Sequence, residues 1–256
     1  MKRLLTLSAI VLGLVLQAGN VSASAFRVTP IRVSLERSGA SALLTLSNES
    51  QETLRFQISA VHWEQDSAGK MKLEPTQDIL FFPALLSLEA GAERKVRVSA
   101  RTPAGAVEKT YRIFFEELPP LTTTESREGA TQVRILTKMG VPIFLAPQKV
   151  VEKATIERAR VEQGTLRFSV KNEGTVRFGV QGVKVRGVGE NDAILFEHEL
   201  DGWYVLAGTE RTYELPIAAD VCGKLRSIGI TAQTDSAAES AASAQARAEV
   251  SAAGCR

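Results

Sequence analysis

The chain has 256 residues, 31 of them basic and 29 acidic, for a formal net charge of +2. That balance gives no reason to expect nucleic acid or a strongly anionic surface as a partner. Hydrophobic residues make up 44%, so a packed core can form, and the length allows two domains of about a hundred residues each.

At the start, Lys2 and Arg3 precede an apolar run from Leu4 to Leu16, and Ala23-Ser24-Ala25 is the small-x-small pattern that a signal peptidase cuts. The run is short for a membrane span. Residues 1–25 therefore read as a cleaved signal peptide rather than an anchor, with the mature chain exported. Apolar and polar residues then alternate over 26–36, 41–47, 54–63, 95–100 and 110–117, which predicts strands. The polar, proline-led stretch 119–130 predicts a flexible loop. Residues 131–147, TQVRILTKMGVPIFLAP, follow it and predict one long strand. Val133, Ile135, Met139 and Val141 share a face at period two, with Thr137 among them. Gly140 and Pro142 argue for an edge, where a lost ladder donor matters least. A long apolar edge is an aggregation hazard, so such a strand needs a use.

Past Pro147, alternation resumes at 155–161, 165–171, 176–186, 194–199, 209–216 and 225–233, with turn signals such as Asn172-Glu173-Gly174 between. Residues 236–253 are rich in Ala, Ser and Glu, which suits a helix or a loop and a final strand. Short strands at this spacing predict an all-β chain of two tandem immunoglobulin-like sandwiches, 26–148 and 149–256. The two cysteines, Cys222 and Cys255, are too few for a zinc cage. If 225–233 and 245–251 form a hairpin with its tip near 236–243, the cysteines face each other at its open end, at bridging distance. Two free thiols are the alternative.

Catalysis finds little support. The two histidines, His62 and His198, sit in strand patterns, and no HExxH, GxSxG or P-loop occurs. Glu116 and Glu117 adjoin on a strand and so face opposite ways. No cofactor, metal or small-molecule substrate is implied, and a cupredoxin-like site lacks its ligand cluster.

Six pieces carry a resemblance, in order: FRVTPIRVSLE, LTLSNES, FQISAVHWEQ, LEPTQDILFFPALLSLEAGAERKVRV, YRIFFEELPP and VPIFLAP. Together they cover most of 26–147 and resemble the PapD-like periplasmic chaperones of the chaperone–usher pathway. The RVTPIR and VPIF pieces are similar to the archaic or alternative branch. The second half resembles the family more loosely, chiefly in GWYVLAGTERTYELP. The resemblance implies two immunoglobulin-like domains in an L, fibre (pilin) subunits and an outer-membrane usher as partners, and a self-capping dimer as one option for the free form. It implies that Val133, Ile135, Met139 and Val141 form a donor strand that completes a subunit's open fold. It also implies that cleft cations anchor the subunit's C-terminal carboxylate. Arg32 matches the family's first-strand arginine, while the usual lysine position holds Pro142; Lys138 or Arg112 could substitute. The competing function is a structural or adhesive envelope module of two sandwiches.

Overall fold

The computed structural model describes residues 25–121, 135–251 and 253–255. The expected signal peptide (save Ala25), most of the expected loop 119–130, and Val133 lie outside the described residues.

Among the described residues, ten strands precede residue 146. They are β1 (Phe26–Thr29), β2 (Val33–Leu35), β3 (Ser41–Asn48), β4 (Leu54–Gln65), β5 (Met71–Pro75), β6 (Ile79–Phe82), β7 (Leu85–Leu88), β8 (Glu93–Ala100), β9 (Lys109–Leu118) and β10 (Lys138–Leu145). One sheet has the order β1-β3-β8-β6; the facing sheet runs β2-β10-β9-β4-β5, with β7 also on β4. Alternation explains the packing. On β9, Tyr111, Ile113 and Phe115 are fully buried and join Val28, Leu44, Phe56, Val98 and Val141 in one core, while Arg112, Phe114 and Glu116 take the other face.

The single strand expected at 26–36 is two strands in different sheets: β1 pairs antiparallel with β3, and β2 pairs parallel with β10. Pro30 separates them and has no N–H to continue a ladder. Changing sheets lets both ends bury their apolar side chains, Val28 at one end and Val33 and Leu35 at the other.

Eight more strands form the second half: β11 (Ala154–Glu162), β12 (Thr165–Asn172), β13 (Phe178–Val188), β14 (Ile194–Asp201), β15 (Tyr204–Val205), β16 (Glu210–Pro216), β17 (Ser227–Thr234) and β18 (Ser243–Glu249). They make sheets β11-β12-β16 and β14-β13-β17-β18, with β15 on β13, around a core that includes Phe168, Val183, Ile228 and Ile230. The fold is thus two immunoglobulin-like sandwiches, nearly all β. Two short helices interrupt the second, α1 (Ala219–Cys222) and α2 (Glu239–Ala242). The Ala/Ser-rich stretch resolves into that single turn and a strand: β17 and β18 pair antiparallel from Ser227↔Glu249 to Gln233↔Ser243.

At the open end of this hairpin Cys222 and Cys255 are joined, Cα to Cα 5.7 Å apart, across 33 residues of sequence. Chain-entropy arguments put such a closure at about 3–4 kcal/mol. Replacing both cysteines by alanine is therefore expected to lower the C-terminal sandwich's calorimetric midpoint by on the order of 15 °C, with the N-terminal transition little changed. An unshifted C-terminal transition would show that the bridge does not stabilise the fold.

Candidate functional site

β10 is the element that builds the site. Its last three residues, Ile143–Leu145, lie between β2 and β9; from Lys138 to Pro142 it pairs, among the described residues, with β9 alone. Pro142 thus falls where β10 pairs on one side, as its missing donor predicts, although its side chain is buried. Register lays out the sheet's outer face in rows: Lys138 beside Glu116, Gly140 beside Phe114, Pro142 beside Arg112 and Phe144 beside Thr110. Val61 of β4 continues the Arg112 row.

The lower part of this face meets the second sandwich. Trp63 and Phe144 are buried against Leu206, with Tyr204 beside them. Gln65 clamps the same turn from both sides: its Nε2 donates to the Tyr204 carbonyl at 2.9 Å, and Leu206 N donates to its Oε1 at 3.1 Å. Thr212 N donates to the Ser67 carbonyl at 2.9 Å. A buried ion pair closes the contact. Arg177 gives Nη1 to Glu108 at 3.0 Å and its backbone N–H to the other carboxylate oxygen at 3.1 Å, and its guanidinium covers Phe144 at 3.6 Å. Burial pushes the Glu108 carboxyl above its ordinary value, while Arg177 and, more weakly, Arg32 hold it down.

Arg112 stands where this contact opens. Its guanidinium lies 4.5 Å over the Trp63 ring, a favourable cation–π placement. It is half-buried, its buried Nε has no hydrogen-bond partner, and it makes no ion pair among the described residues. Burial lowers its pKa, partly offset by Tyr204. The neighbouring Gly140 lets the Phe114 ring pack close against β10. A Cβ there would meet the Phe114 ring at 2.7 Å and lie 3.5 Å from Arg112 Nη1.

The other proposed anchors differ. Arg32, half-exposed in the bend between β1 and β2, lies 3.6 Å from Asp235 of the second sandwich. Lys138 is exposed and pairs with Glu116 at 2.7 Å, so its charge is already matched away from the cleft. Along the expected donor face, Ile135 is 55% exposed, Met139 is partly buried against the core, and Val141 is fully buried within it. Val141 thus packs into the core of its own sandwich. The sequence reading did not find Asp235, Glu108, Arg177 or Gln65. They are single polar residues whose partners lie tens of residues or more away, so no local pattern marks them.

Residues 25–151 match the pili and flagellar-assembly chaperone family at its PapD N-terminal domain. This part of the chain is a PapD-like assembly-chaperone domain. Solved structures extend the likeness of fold to the second sandwich. The class 5 fimbriae chaperone CfaA aligns over 88% of this chain and 99% of its own, at 15% identity and TM-score 0.57. The CsuC–CsuE chaperone–tip adhesion subunit complex of Acinetobacter baumannii pili gives 88%, 98%, 15% and 0.55. The Salmonella enterica SafA pilin–SafB chaperone complex gives 84%, 92%, 17% and 0.53. No curated protein matches the chain. Members of this chaperone family are not enzymes, and the described residues hold no cluster of three or more metal-ligating side chains.

Proposed function

We propose that this PapD-like chaperone is exported by cleavage of residues 1–25, holds fibre subunits in the periplasm by lending them β10, and passes them to an outer-membrane usher. Residues 26–148 would form the subunit-binding domain and 149–256 the second. The observation that carries this reading is the one-sided pairing of β10 from Lys138 to Pro142 among the described residues, running toward Arg112, whose buried Nε has no hydrogen-bond partner and which makes no ion pair among those residues. An open edge takes an added strand by main-chain hydrogen bonds, a recognised mode of subunit complementation. An unpaired guanidinium at its end offers a fork that fits a carboxylate. Arg32 supplies a second cation across the cleft, and the apolar residues offered to the subunit lie upstream of Val141, at Ile135 and, outside the described residues, Val133.

Ile135→Asp tests the strand. The side chain is largely exposed, so the free chaperone is expected to keep its midpoint. An unpartnered charge entering an apolar groove costs several kcal/mol, so co-expressed subunits are expected to vanish from the tagged chaperone. Normal subunit yield with the variant would remove Ile135 from the donor face. An envelope module without chaperone activity would bring down no subunit even as wild type.

A further inference from the structure

Asp235 places a carboxylate of the protein's own beside Arg32. Its position is fixed by the second sandwich. Gly179 N donates to Oδ1 at 2.5 Å, and Asp235 N donates back to the Gly179 carbonyl at 2.8 Å. Gly179 permits this approach, since a Cβ there would lie 3.1 Å from Asp235 Oδ2. With Oδ1 engaged by the N–H, Oδ2 is the oxygen turned to Arg32 Nη1, 3.6 Å away. The separation is longer than a good charge-assisted hydrogen bond, and both side chains are substantially exposed.

Arg32 and Asp235 cancel in charge, leaving Arg112 as the uncompensated cation of the pair of anchors. A carboxylate arriving at Arg32 must compete with one that is already tethered there. We propose that Asp235 is a specificity-determining residue of the anchor. It occupies Arg32 in the free protein, so that a bare peptide carboxylate gains little and only a chain that also pairs along β10 displaces it. The proposal rests on the reading of Arg32 and Arg112 as subunit anchors. Exposed ion pairs are weak, so the threshold is small enough for strand pairing to overcome.

The test compares wild type, Asp235→Asn and Arg32→Gln in the full mature chain. Asparagine keeps the oxygen that accepts from Gly179 and removes only the charge. The probe is a labelled synthetic peptide of about a dozen alternating valine and threonine residues, with a free C-terminal carboxylate or a C-terminal amide, titrated by anisotropy. Asp235→Asn is expected to bind the carboxylate form about two- to fivefold more tightly than wild type, the range that a weak surface pair can supply. The amide form should be indifferent to the substitution. An unchanged or weaker carboxylate titration in Asp235→Asn, with Arg32→Gln reducing binding, overturns the role of Asp235 and leaves the anchor standing. Wild-type carboxylate binding by Arg32→Gln overturns both. If Asp235→Asn shifts the thermal midpoint, Arg32 is instead relieved by Asp235→Gln, and an unchanged carboxylate titration there counts equally against the proposal.

Discussion

Arg112→Met is expected to lose subunits by about thirtyfold or more while the free chaperone remains as stable as wild type or more so. The two halves of this result have separate causes. Methionine keeps an apolar chain over Trp63 and removes a half-buried charge that has no ion-pair partner among the described residues. Replacing a poorly compensated buried charge by a hydrophobic group of similar volume is often neutral or stabilising. In the proposed complex the same charge would face the subunit's carboxylate. Losing one partner of a desolvated charge pair costs about 2–5 kcal/mol, and each factor of ten corresponds to about 1.4 kcal/mol. Subunit affinity by titration and the midpoint by calorimetry are read on one preparation. Full affinity would assign anchoring elsewhere, whereas a large loss of stability would make Arg112 a packing residue. The pattern, stability gained where function is lost, is the mark of a site that carries strain for use.

Arg177→Ala is expected to be the most damaging substitution at the contact between the sandwiches. It strands the Glu108 carboxylate, whose side chain is only 4% exposed, and uncovers Phe144. Removing one partner of a buried pair costs about 3–5 kcal/mol, on the order of 10 °C for a chain of this size. The loss should also depend on pH. Burial already pushes the Glu108 carboxyl upward, and without Arg177 it rises further. A carboxyl with a raised folded-state pKa favours folding while protonated, and that contribution fades as pH climbs through the folded value. The deficit should therefore be largest near neutral pH and shrink on acidification. Calorimetry near pH 7.5 and pH 5 decides it: an equal deficit at both, or none, would mean that the pair is not what stabilises the contact.

Much of this was legible in alternation, and what was not has a physical reason. Period two marked β9 and β12 because each has one face on a core. It joined β1 to β2 wrongly, although a sign was present: Val28 and Val33 both point inward but are an odd number of residues apart, which a continuous strand forbids. On β10, alternation placed Ile135, Met139 and Val141 on one face but could not say whose core they enter. Burial separates them, with Ile135 exposed and Val141 enclosed. The cysteine bridge was legible because a hairpin converts sequence distance from its tip into spatial opposition. The Arg177–Glu108 and Arg32–Asp235 pairs were not, because each joins two separately folded sandwiches.

The short pairing of β2 with β10 has a consequence for what the open edge can accept. β2 covers Ile143 to Leu145 and nothing before them, and Ala146 N donates to the Leu35 carbonyl at 2.8 Å. The edge is therefore a slot with a closed end: a visiting strand can slide along it only until it reaches β2. Because a slip of one residue would turn every side chain to the wrong face, such a stop acts as a measuring datum. If a subunit strand adds to this edge as proposed, its register would be set by where it runs out of room at β2.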